Sequence, residues 1–169
     1  MKLGTLYIRV ALFGFLCVLS ACALPGTPRH SLGELRSALV DHDADRALKY
    51  VDVDSIVNHM VQDKLRAQEQ NAKTDLDAMG LALGRIVASA ILPQATPLIR
   101  QGVIAAITSD DQLGYFNKIR KASVWYFTIE EKGNTALITP RGDNKVQFKM
   151  ERTDQGYWRI TQVIFKNGS

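Results

Sequence analysis

The hydrophobic period of this chain changes once, at Thr108–Gly114 (TSDDQLG), and the change constrains the fold more than any other feature. Beyond it, apolar residues alternate with polar ones, as half-buried strands do. Trp125, Phe127 and Ile129 alternate with Val124, Tyr126 and Thr128. Ala136–Thr139 is a second short strand, and Val146, Phe148 and Met150 alternate with Lys145, Gln147 and Lys149. Trp158, Ile160 and Ile164 are then expected on one face, opposite Tyr157, Thr161, Val163 and Phe165. The Gly-containing turns EKGN, RGDN and TDQG separate the runs. Four strands joined by short turns predict an antiparallel meander.

The preceding half has helical spacing. SLGE (Ser31–Glu34) reads as a capping box, followed by Leu32, Leu35, Leu39 and Val40. A second start lies at Asp43, and a third at Asp52 or Asp54, where Ile56, Val57, Met60, Val61 and Leu65 form a stripe. Leu76–Leu92 is the most apolar stretch, with Gly80, Gly84 and Ala88 at four-residue spacing and Pro93 at its end. Two readings compete there, a central core helix and a membrane-inserting or oligomerising one. Arg85 in the middle would cost about 2.5–3.5 kcal/mol in lipid, so the expectation is a core helix. Pro97 is expected to open another helix, with Leu98, Ile99, Val103 and Ile107 facing inward. Helices first and a meander second predict the α+β class, with N-terminal helices packed on a C-terminal four-stranded antiparallel sheet.

The first line of the sequence carries a different message. Lys2 and Arg9 precede an apolar run from Val10 to Leu19, then small residues at Ser20 and Ala21. This is the layout of a secretory signal. The run is short of the roughly 20 apolar residues of an ordinary span. The motif LSAC (Leu19–Cys22) resembles the bacterial lipobox, and that resemblance implies cleavage before Cys22 and acylation of its sulfur and amino group. Residues 1–21 are then a signal peptide, 22–30 a lipidated tether, and 31–169 a single α+β domain. Two acyl chains suffice for stable membrane anchoring. Cys17 would leave with the signal and Cys22 would be consumed, so the mature chain has no thiol for a disulfide or a Cys-based metal site. In lipoproteins of diderm bacteria, Asp after the acylated Cys retains the protein at the inner membrane. Ala23 in that place implies the outer membrane, periplasmic face, in a diderm host.

The remaining motifs favour structural roles. The net charge of +4 drops to 19 cations against 17 anions without Lys2 and Arg9, and no basic run follows, so nucleic acid is not an expected partner. DHDAD (Asp41–Asp45) resembles the start of a calcium-binding loop, but Arg46 stands where glycine is needed and Asp52 where a bidentate Glu is needed. A helix–helix junction capped by Asp43 is expected instead. His30, His42 and His59 lack the convergent partners of a zinc site, so no metal or other cofactor is expected. The RGD of Arg141–Asp143 fits a hairpin turn. No nucleophile elbow, P-loop or dinucleotide fingerprint is present, and no catalytic residue is assigned.

From Ser31 onward the chain resembles an uncharacterised family of bacterial envelope proteins, a domain of unknown function, in KYVDVDSIV (Lys49–Val57), ILPQATPLIRQGV (Ile91–Val103) and YWRITQVIF (Tyr157–Phe165). The element order is similar to that of the cystatin and nuclear-transport-factor-like folds. WRITQVIFKNGS is also similar to the ends of periplasmic phospholipid carriers of the latter type. These resemblances imply fold and compartment rather than chemistry. The leading expectation is a non-enzymatic binding or scaffolding lipoprotein, held to the membrane through Cys22 and partnered by an envelope protein. The alternative is a carrier of lipid or another apolar ligand, with a cavity between the helices of Leu76–Ile107 and the sheet, lined by Trp125, Phe127, Trp158 and Ile160.

Overall fold

The computed structural model of the chain describes residues 26–71, 74–109, 123–142 and 145–166. Cys22 and the rest of the signal segment lie outside the described residues, as do Asp143 and Asn144 of the RGDN turn. The fold is α+β. Helices α1 (Pro28–Val40), α2 (Ala44–Leu48), α3 (Val53–Asn71) and α4 (Asp75–Thr108) precede a 3-10 turn, Val124–Tyr126. Strands β1 (Phe127–Lys132), β2 (Thr135–Pro140), β3 (Val146–Arg152) and β4 (Trp158–Phe165) form an antiparallel sheet in sequence order.

Helix α1 starts earlier than the SLGE box. Thr27 is its N-cap, accepting from the His30 amide at 3.2 Å, and Pro28 takes the first helical position, where no N–H is needed. Ser31 is therefore inside the helix and fully buried. Its hydroxyl accepts from the Trp158 amide at 3.0 Å, joining α1 to the first residue of β4. The residues read as the end of a tether belong to the fold: the Gly26 carbonyl accepts from Trp158 Nε1–H at 2.8 Å. Gly26 has φ +86°, and a Cβ there would lie 3.2 Å from the Gly156 carbonyl oxygen, so glycine suits both the backbone and the space. Thr27→Ala should cost about 1 kcal/mol of stability, measurable by urea denaturation.

The junctions follow the expected caps. Asp43 accepts from the Arg46 amide at 3.0 Å, and Asp52 accepts from the Ser55 amide at 3.0 Å. Asp41 pairs with the Arg46 guanidinium at 2.9 Å, so Asp41 and Asp43 of DHDAD are both turned to this corner. His42 has φ +55°, in the left-handed region that His tolerates better than most residues. Its Nδ1–H donates to the Ile107 carbonyl at 2.9 Å and fastens the end of α4 to the α1–α2 corner.

One sheet face carries the core. Leu32, Leu35, Ala38 and Leu39 of α1, Ala44 and Ala47 of α2, and Ile107 of α4 pack with Ala136, Ile138, Met150, Trp158 and Ile160. The register puts Ile138 opposite Phe148 and Met150 opposite Ile160, then slips between Lys149 and Met150. Thr161 is the extra residue, so Phe148 faces Val163 and Gln147 faces Ile164. The bulge reverses the alternation. Val163, not Ile164, therefore shares the face of Trp158 and Ile160, contrary to the uninterrupted period of the sequence. The 3-10 turn takes Val124, Trp125 and Tyr126 out of the first strand, which begins at Phe127. The edge of β4 is covered where Val51 makes a parallel bridge with Ile160. Two bonds at 2.9 Å hold it, Ile160 N–H to the Tyr50 carbonyl and Asp52 N–H to the Ile160 carbonyl. The other edge, β1, ends in Glu130, Glu131 and Lys132, charges that discourage strand addition.

The largest departure from expectation is α4. Leu76–Leu92 is not a core helix, and Pro93 does not end it. Asp75–Thr108 is one helix of 34 residues, opened by a capping box between Thr74 and Asp77 and containing both Pro93 and Pro97. Both prolines are exposed residues, as are Ser89 and Pro93, whose carbonyls they deprive of partners, so water can reach those carbonyls. Arg85 pairs with Glu69 of α3, and Arg100 pairs with Asp54 at 2.7 Å. These bridges, with Gly84 close to Leu65, hold α4 along α3 as a helical hairpin. Only the last turns of α4, around Ile107, reach the core.

Candidate functional site

Helix α4 presents two faces with different chemistry. Leu81, Gly84, Ala88, Leu92 and Ala95 are half-buried, on the side toward α3. Met79, Leu83, Ile86, Val87, Ile91 and Leu98 fall on the opposite side and are exposed, Met79 to 64% and Leu98 to 68%. Their spacing is that of a helical stripe, crossed by the exposed Gln94 before Leu98. Six such side chains on one face form a patch of the kind that marks an interaction site rather than scattered surface hydrophobics. A stretch of α4 within Met79–Thr108 is long and apolar enough to cross a membrane, and none of it is buried in the fold. Leu98 and Ile99, expected to face inward, are exposed, whereas Val103 and Ile107 pack on the core as expected.

Where the prolines interrupt α4, a groove of about 730 Å³ opens between α3 and α4. Asp54 and Asn58 line one wall, and Leu92, Pro93, Thr96, Pro97 and Arg100 line the other. The Asp54–Arg100 bridge crosses it. The hydrogen bond to Asp54, then its charge, raises the Arg100 pKa above its ordinary value, so the guanidinium is charged throughout the accessible range. Thr96 Oγ1–H donates to the Leu92 carbonyl at 2.8 Å and is committed to the helix. No His or Cys lines this groove, and no group of three metal-ligating side chains occurs among the described residues.

The four residues expected to line an apolar cavity separate into two environments. Trp158 is fully buried with both N–H groups bonded, and Ile160 is 9% exposed within the same core. Phe127 packs partly buried against that core. Trp125 is 58% exposed on the 3-10 turn, under the Arg29 guanidinium at 4.6 Å from the ring centre. The groove lies on the helical hairpin, away from all four. The signal that could have located the apolar surface was present in the sequence: a stripe of large apolar residues from Met79 to Ile91, resumed at Leu98 after Gln94, with Arg85 off the stripe. Comparisons with protein-family models, with curated proteins and with solved structures find no match, so no relative's activity or partner transfers to this chain.

Proposed function

We propose that the chain is a lipid-anchored, non-enzymatic scaffolding module of the cell envelope that assembles through the outer face of α4. The lipobox supports the anchor and, in a diderm host, the periplasmic face of the outer membrane. The exposed stripe of α4 carries the scaffolding reading. Its occupant in this reading is α4 of a second copy. The stripe bears no charge that would oppose self-pairing, because Arg85 and Arg100 are held toward α3. Anchored copies would also share one plane, which raises their effective concentration. Burial of α4 in lipid is the weaker reading, since Arg85 would be carried in with it at about 2.5–3.5 kcal/mol. The carrier reading loses its cavity wall, because Trp158 and Ile160 are sealed in the core.

The test uses the absence of other thiols from the mature chain. Single cysteines placed at Leu83, Ile86, Val87, Ala90 and Ile91 are each the only free thiol once Cys22 is acylated. In a two-fold interface the positions nearest the axis meet their own copies. Mild oxidation of membranes should yield a disulfide-linked dimer at one or two of these positions and none at Lys64→Cys on exposed α3. Monomer at every position overturns the proposal. Thiols that react only with a lipid-borne maleimide also overturn it, in favour of membrane burial.

A further inference from the structure

The surface around the start of α1 is the part of the described fold that follows Cys22 most closely along the chain. Gly26 is fixed to Trp158, and Cys22 lies only four residues before it, a reach of at most about 14 Å. An acyl anchor at Cys22 would therefore hold the start of α1, and the β3–β4 turn beside Gly26, close to the headgroups. Three observations independent of the lipobox make the surface suitable.

First, it exposes two amphipathic aromatics side by side. Trp125 is 58% exposed and Tyr126 48% exposed, on a turn whose third residue leads into β1. Trp and Tyr suit the membrane–water interface, with an apolar ring and a polar tip. Second, Trp125 is presented rather than loose. Arg29 Nη1–H donates to the Val124 carbonyl at 2.8 Å while its guanidinium covers the Trp125 ring, and Ser123 accepts from the Trp125 amide. Third, cations lie over Trp125, next to Tyr126 and beside Gly26. Arg29 is on the patch itself. The Arg141 amide donates to the Tyr126 carbonyl at 2.9 Å, and Arg152 Nη2 approaches Gly26. None of these three arginines is ion-paired among the described residues. Asp154 lies on the turn that brings Gly156 to Gly26. The balance favours anionic headgroups, each nearby cation contributing about 1 kcal/mol at the surface.

We infer that Trp125, Tyr126 and Arg29, with Arg141 next to Tyr126 and Arg152 beside Gly26, form a seat for an anionic bilayer surface that orients the anchored domain. The inference rests on the proposed acylation of Cys22. It also explains why the tether is short: residues from Gly26 onward are committed to the fold, so the domain cannot swing freely on its anchor. With this surface against the membrane, the orientation of α4 is fixed relative to the plane, as assembly between anchored copies requires.

The chain contains two tryptophans, and Trp158 is fully buried, so quenching by an aqueous agent reports Trp125. The mature acylated protein is reconstituted in vesicles of phosphatidylethanolamine with phosphatidylglycerol. Trp125→Phe, an exposed substitution, supplies the Trp158 background. Quenching of Trp125 by acrylamide should fall about threefold on the vesicles relative to detergent solution, since a ring at headgroup depth is shielded from water. Brominated lipids should quench it, and Arg29→Gln with Arg141→Gln should restore much of the acrylamide access. Protein that carries acyl chains by intact mass and floats with the vesicles, yet leaves Trp125 as open to acrylamide as in solution, overturns the seat and leaves the anchor standing. A mature chain without acyl mass overturns both.

Discussion

Trp158→Ala is expected to destabilise the domain by about 4–5 kcal/mol, most of the stability of a marginal protein. The side chain is fully buried at the centre of the contact between α1 and the sheet. Removing it forfeits the transfer energy of a large ring and leaves a cavity that α1 cannot close, because Ser31 still binds the residue 158 amide. The Gly26 carbonyl also loses its indole donor, about 1 kcal/mol more. Trp125→Ala should shift stability by less than about 0.5 kcal/mol, as an exposed side chain does. Urea denaturation followed by far-UV circular dichroism measures both. The comparison also bears on function. If Trp158 lined a ligand cavity that opens, its truncation would be cheap and would enlarge the cavity. A midpoint for Trp158→Ala within about 1 kcal/mol of wild type would revive the carrier reading and count against a sealed core.

The sheet was legible in the sequence because two local signals coincide there. Period-two runs are separated by Gly-containing turns, and Gly133, Gly142 and Gly156 all adopt positive φ in the structure. What the pattern could not reveal was the bulge at Thr161. A strict period carried past one extra residue puts Ile164 on the wrong face, and nothing at Thr161 advertises the slip. The caps at Asp43 and Asp52 were legible for a similar reason, since a side-chain oxygen beside a helical run has one obvious use. Ser31 was misjudged because Thr27-Pro28 is the better start, and the competing cap was hidden inside a stretch that resembled a linker.

The reading of α4 went astray at the level of packing. The stretch is apolar enough for a core, and 17 residues from Leu76 to Leu92 would ordinarily be buried. Its inner face is mostly small, however, so α3 covers it with little bulk, while the large residues point away. Sequence amphipathicity measures polar against apolar, and it is blind to small against large when both count as apolar. The prolines misled in the same way. A proline interrupts one backbone bond, but the helix continues when its freed carbonyl can reach water. The candidate surface was thus contained in the sequence as a stripe of large side chains, and only the fold shows that nothing among the described residues covers it.

Cys22→Ala is expected to abolish acylation entirely, with no partial phenotype. The proposed anchor is a thioether to a single sulfur, and Cys17, the only other cysteine, lies within the proposed signal. Without the diacyl group the signal should remain uncut, because cleavage at a lipobox follows modification of its cysteine. The uncut apolar run from Val10 to Leu19 can itself hold the precursor at a membrane, so fractionation alone is a poor readout. The decisive measurements are incorporation of a clickable fatty acid and the length of the chain on a gel. Wild type should label and run at the mature length, and Cys22→Ala should be unlabelled and run as the longer precursor. Continued labelling of Cys22→Ala would refute the anchor and, with it, the oriented seat at Trp125. In a diderm host, Ala23→Asp should keep the label and the mature length while moving the protein from the outer to the inner membrane in a density gradient. Only sorting is altered in that variant. Two acyl chains, at about 0.8 kcal/mol per buried methylene, still hold the domain, and the face it presents to the bilayer is unchanged.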